Sequence, residues 1–140
     1  MRILSASFLL FCLLLSAVVS AEEAYRTVQP LLHTTETVLH EPLTGADGSP
    51  LEITSTIVTI QPGEETAWHK HGVPLYAYIL AGELTVDYGA QGVRQFPVGS
   101  AFMEAMDHWH RGRNLGRETV RILAVYLGTA NGQKVIPKAD

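Results

Sequence analysis

Two His-x-His pairs, His69/His71 and His108/His110, carry four of the six histidines in this 140-residue chain. Residues two apart on a β-strand project from the same face, so each pair is able to aim both imidazoles at one point. A neutral imidazole is a ligand for Zn, Fe, Ni, Cu or Mn, and a closed sheet can gather such ligands from distant parts of a chain. A single His-x-His at an exposed strand end is ordinarily polar surface. The metal reading therefore depends on elements that bring the two pairs together.

Those elements read as β. "LEITSTIVTI" (51–60), "YAYIL", "LTVDY", "SAFME" and "TVRILAVYL" are short runs rich in β-branched and aromatic residues. "TGADGSP", "PGEE", "AGE", "GAQG", "PVG" and "NLGRE" separate them with residues suited to chain reversal. No run has the length and 3.6-residue period of a helix. The expectation is an all-β sandwich or closed barrel, because a flat open sheet of this size would leave edges exposed and bury too little. The tail "NGQKVIPKAD" reads as loosely held.

Arg2, the apolar block from Ile3 to Val19 and the small residues before Glu22 form the pattern of a secretory signal peptide, expected to be cleaved after Ala21. Residues 22–140 then form one domain, exported to the periplasm or secreted, with no membrane attachment after cleavage. The only cysteine, Cys12, falls in the removed segment, so the mature chain has neither thiol chemistry nor disulfides. The chain has 14 acidic and 10 basic residues, which offers no electrostatic case for nucleic acid. Arg111, Arg113, Arg117 and Arg121 cluster among acidic residues, as on a solvated face.

The spacing of these residues resembles the cupin superfamily. Its first motif is glycine, five residues, His-x-His and a closing glycine, which fits Gly63, His69, His71 and Gly82. The second fits Gly99, His110 and Asn114, with Ala105 and Asp107 standing where proline and glycine are usual. The resemblance implies a double-stranded β-helix, or jelly-roll barrel, here with an N-terminal strand extension. It implies His69, His71 and His110 as ligands of one divalent transition metal (Fe, Mn, Ni, Cu or Zn), and commonly a homodimer. One departure bears on the site: the first-motif glutamate position falls on Leu75, beside Tyr76. Glu104 is the best replacement, as a fourth ligand or general base. His108 is a weaker candidate for ligand or proton shuttle, since its place before His110 falls in a turn. His33 and His40 lie outside both motifs and read as surface histidines. Asn114 is expected to fix a loop, and Trp68, Tyr76, Tyr78, Phe102, Met103 and Trp109 to pack in the core or rim.

Three functions are compatible with these residues. One is an exported metal-dependent enzyme, dioxygenase- or isomerase-like, acting on a small, partly apolar or aromatic organic molecule. A second is a non-catalytic module that binds a metal or ligand. The third is a barrel that has lost its metal, as Leu75 would suggest. The fold alone does not choose among them, although nothing supports a serine triad, a phosphate loop or a dinucleotide fingerprint.

Overall fold

The structure is a computed structural model, and it describes residues 24–129 and 131–139. The signal-peptide segment, residues 1–21, lies outside the described residues. Ten strands follow: β1 (Thr27–Thr34), β2 (Glu52–Ile60), β3 (His69–Lys70), β4 (Leu75–Ala81), β5 (Glu83–Asp87), β6 (Val93–Pro97), β7 (Ala101–Met103), β8 (Arg111–Arg113), β9 (Val120–Gly128) and β10 (Ile136–Pro137). A 3-10 turn, Gly89–Gln91, separates β5 from β6.

One sheet has the order β1-β2-β9-β4-β7, all antiparallel. The facing strands form the groups β6-β5-β8 and β10-β3. The bridges Glu65↔Arg113 and His69↔His110 join these groups by running the 63–71 segment along 110–114. The result is the expected all-β double-stranded β-helix, with β1 as an N-terminal extension along one edge. On β4 and β9 buried and more exposed residues alternate with period two, and the buried set faces the opposite sheet. Ile79 of β4, Val86 of β5 and Val120 of β9 are at most 1% exposed, which places the densest packing between the sheets.

Gly82 joins β4 to β5 at φ +70°, and a Cβ there would stand 2.9 Å from the Thr119 carbonyl oxygen, so a side chain meets both backbone strain and backbone atoms. Asn114 does fix a loop. Its Nδ2 donates to the Ile60 and Glu118 carbonyls at 2.9 and 2.7 Å, and its Oδ1 accepts the Gly116 N–H at 3.0 Å. Only 1% of Asn114 is exposed. Asn114→Ala would remove all three bonds and leave backbone groups without a partner, so a loss of about 3 kcal/mol is expected. Urea denaturation checks this: a midpoint equal to wild type would show the loop is held by other contacts.

Two expectations need correction. The tail is not loosely held: β10 pairs with β3, the Lys138 N–H donates to the Trp68 carbonyl, and Val135 is 2% exposed. The Gln133 carbonyl lies so close to Gly72 that no Cβ would fit there. The arginine cluster is only partly a solvated face. Arg111 bonds Asp87 and Glu65 and lies over the Trp68 ring, while Arg113 reaches Glu65, so both tie the 63–71 segment to the sheet.

Candidate metal centre

His69 begins β3, His71 follows that strand directly, and His110 immediately precedes β8. His69 and His110 exchange backbone N–H···O bonds at 2.9 Å in both directions, so the two strand ends are clamped opposite each other. His71, two residues on and just past the end of β3, reaches the same point. All three rings are buried, at 2–3% exposure, and one ligand nitrogen from each lies within 4.8 Å of the others. The structure thus brings together the three histidines spaced by the two motifs.

The orientation of the rings is set by the backbone. His69 Nδ1 lies 2.8 Å from the Ala67 carbonyl oxygen, His71 Nδ1 3.0 Å from that of Lys134, and His110 Nδ1 2.9 Å from that of His108. A carbonyl can only accept, so each Nδ1 carries the proton and each Nε2 presents a lone pair. This is the arrangement in which an imidazole ligates a metal through Nε2 while its other nitrogen is held. His110 Nε2 and His71 Nε2 stand 3.2 Å apart. Neither has a proton to offer the other in the neutral state. Two ligands of one ion at bonds of about 2.0 to 2.1 Å are separated by about 3 to 3.4 Å, so the spacing suits a shared cation. Burial pushes the His69 pKa down to about 3 and that of His71 to about 4, with smaller contributions from the neighbouring imidazoles. Both rings are therefore neutral and ready to ligate at ordinary pH. The donor set fits a divalent transition metal.

Glu104 turns inward. Its side chain is 7% exposed, and Oε2 lies 3.9 Å from His110 Nε2. Oε1 accepts the Tyr88 hydroxyl and the Ala105 N–H, each at 2.7 Å. Burial, followed by the Glu104 charge, pushes the Tyr88 phenol well above its ordinary range, so it stays a donor to the carboxylate. Glu104 stands across from Leu75 on adjoining strands, because Tyr76 pairs with Met103 and the Glu104 N–H donates to the Leu75 carbonyl at 2.9 Å. A carboxylate thus enters the centre from the strand beside the one where the first motif would have placed it. Leu75, 5% exposed, forms apolar wall.

His108 does not join the centre. It lies in the bend at 106–108, its side chain is exposed, and it contributes only its carbonyl. The same-face rule fails there because β8 starts after His110. His33 bonds Thr54 and His40 bonds Glu36 at the surface. Of the large apolar residues expected in the core or rim, Phe102 lines the cavity at the imidazoles, while Tyr76 and Met103 face outward. A contributor that no motif indicated is Tyr25, whose hydroxyl is 3.1 Å from His69 Nε2. Burial and the adjacent Tyr126 hydroxyl push its pKa well above the usual phenol range.

Fold and site together define a small jelly-roll barrel with a buried cluster of three histidines able to hold a metal ion. The cupin domain family matches residues 56–126, just over half of the chain, and the chain belongs to that family. Solved structures agree on the fold. An uncharacterized double-stranded β-helix protein from Klebsiella pneumoniae is 18% identical with TM-score 0.56, covering 89% of this chain and 93% of its own. An RmlC-like cupin from Methanocaldococcus jannaschii is 14% identical with TM-score 0.56, covering 73% and 79%. The polyketide cyclase RemF from Streptomyces resistomycificus is 20% identical with TM-score 0.55, covering 72% and 70%. No curated protein matches the chain.

Proposed function

We propose that this chain is an exported metal-dependent cupin enzyme that holds one divalent transition metal on His69, His71 and His110 and transforms a small organic molecule beside it. The observation that carries this reading is the common direction of three buried Nε2 lone pairs, each fixed by a carbonyl on Nδ1. Tyr25 supplies a donor to His69 Nε2 alone, so packing does not account for the His71 and His110 lone pairs set 3.2 Å apart with no proton between them, since burying polar groups without partners is costly. The ion, when bound, supplies Lewis acidity toward an oxygen at the same centre. Glu104 Oε2 is the proton acceptor there. Tyr88 and Ala105 occupy its other oxygen, so the free one is aimed inward. Leu75, Ala77, Phe102 and Ile122 exclude bulk water and strengthen every charge interaction inside.

The buried carboxylate favours the enzymatic reading over a storage or capture module, because a pure three-imidazole site would hold an ion without it. We extend the reading to a homodimer formed along the β1 edge, where Leu31 and Leu32 are half exposed.

Elemental analysis of protein purified without chelator or affinity tag tests the centre, with close to one equivalent of a divalent transition metal expected. The carboxylate is tested by calorimetric metal titration. Glu104→Gln should weaken binding at least tenfold, because a negative charge a few Å from a divalent ion is worth several kcal/mol even at an effective dielectric of about 20. Leu75→Glu placed in that background should recover most of the loss from the opposing strand. Equal affinities for wild type and Glu104→Gln would remove Glu104 from the centre.

A further inference from the structure

The cavity at the three imidazoles measures about 40 Å³. That is room for an ion and a few water-sized groups, not for the body of an organic molecule. A substrate must therefore lie in an adjoining space with access to the centre. Three spaces of sufficient size share a lining residue with that cavity among the described residues; one, about 300 Å³, meets it only at Thr66, whose hydroxyl is held by the Gly112 N–H, which leaves two. The larger, about 420 Å³ and lined by Arg94, Phe96, Phe102 and His108, is shut off by Tyr88, whose hydroxyl bonds Glu104 at 2.7 Å. Opening that wall would strip a buried carboxylate of a donor.

The other space, about 200 Å³, lies between β1, β2 and the end of β9, lined by Val28, Pro30, Thr54, Thr56, Tyr126 and Val135. It shares Tyr25 with the imidazole cavity. Tyr25 precedes β1, so its residue is outside every strand ladder. The hydroxyl donates to His69 Nε2, because His69 Nδ1 is already committed to the Ala67 carbonyl. Moving the ring costs a neutral hydrogen bond and leaves no charge unpaired.

The chamber also contains an unsatisfied group. Thr56 Oγ1 is the one fully buried side-chain oxygen or nitrogen among the described residues that lacks a hydrogen-bond partner. Such a group calls for an explanation in a native fold. The cation at the chamber is not free: Lys134 Nζ bonds Glu52 at 2.7 Å. Recognition there is therefore neutral.

We infer that this chamber binds a neutral monocyclic phenol bearing a second hydrogen-bonding substituent. Its phenolic oxygen takes the place of the Tyr25 hydroxyl at the centre, its ring fills the apolar chamber, and its second substituent bonds Thr56 Oγ1. The size is appropriate, since an apolar cavity of about 150 Å³ accepts benzene. Tyr25 itself shows that a phenolic O–H fits against His69. This inference rests on the metal-centre reading for what the phenol meets, while the Thr56 contact stands without it.

Resorcinol and phenol are the probes, titrated calorimetrically into the protein as purified and after chelator treatment, with metal content measured on each sample. Thr56→Val should weaken resorcinol binding about tenfold or more and change phenol binding less than twofold, while Thr56→Ser should stay within about threefold of wild type for both. Folding is the control: Thr56→Val is close in shape and deletes an unpaired hydroxyl, so its melting temperature should equal or exceed that of wild type. Resorcinol binding that ignores the Thr56→Val change, or is absent in wild type at millimolar concentration, overturns the inference. Full metal content without resorcinol binding would leave the metal reading standing and end this one. Thr56-dependent binding to a protein that takes up no metal would do the reverse.

Discussion

His110→Ala is expected to copurify with less than a tenth of the metal bound by wild type and to bind added divalent metal more than a hundredfold more weakly. The size follows from the ligand count. His69 and His71 lie on one segment, and only His110 arrives from the second. Without it, two nitrogens remain on one side of the ion and Glu104 loses the imidazole 3.9 Å from its free oxygen. Loss of groups that merely orient a ligand costs about ten- to a hundredfold, so loss of a ligand should exceed that. The same change should appear in stability. An ion present at about 100 times its dissociation constant adds about 2.7 kcal/mol to the folded state, which for a domain near this size raises the melting temperature on the order of 10 °C. His110→Ala also leaves a void, so the comparison must be a difference of differences: the rise on adding metal to wild type, minus the rise on adding it to the variant. Packing losses cancel in that quantity. Equal metal content and equal rises would place the ion, if any, elsewhere.

The longer strands were readable because they are dense in β-branched and aromatic residues, with alternation on β4 and β9. β2, β4, β5 and β9 each coincide with a run visible in the sequence; the buried faces of β4 and β9 follow its period, whereas β2 and β5 bury consecutive residues. β3, β8 and β10 have two or three residues each. Nothing periodic can show at that length, and their conformation comes from pairing with distant segments. For the same reason the tail was misread: its single Val-Ile step has meaning only once β3 lies alongside. In the site, the three histidines could be picked out by motif spacing, but the difference between His108 and His110 could not be fixed by period two, since His108 lies in a bend and not on a strand with His110. Glu104 could be nominated by type and position, whereas its standing opposite Leu75 is a matter of register between β4 and β7, which no count along the chain provides. Tyr25 and Thr56 lie in no motif. Their roles arise from β1 folding along β2, an N-terminal extension that the sequence suggested only as a strand.

The two depressed imidazoles make a second large effect predictable, in the acid stability of the metal-free protein. His69 and His71 have pKa values near 3 and 4 in the folded chain, against about 6.5 when unfolded. Between those limits the unfolded chain binds two more protons than the folded one, so stability rises with pH and is lost as pH falls below about 6.5. At full difference the slope is about 2.7 kcal/mol per pH unit. From pH 7.5 to 5 the two groups together should remove about 4 kcal/mol, a large part of the 5 to 15 kcal/mol that holds an ordinary domain folded. Carboxylates lowered by their partners act in the same direction but at lower pH. Glu52, held down first by Lys134, and Asp87, held down first by the Gly89 N–H, keep their contribution above the unfolded carboxyl range and lose it as pH falls further. The histidine limb is therefore separable. Urea denaturation in chelator at half-unit steps from pH 7.5 to 5 should show it in wild type, and the double change His69→Gln and His71→Gln should flatten it to within about 1 kcal/mol across the window. An undiminished slope in the double variant would mean that these rings are not the buried neutral pair the structure places at its centre. With metal added, the limb in wild type should move to lower pH, because the ion competes with protons for the same two Nε2 lone pairs.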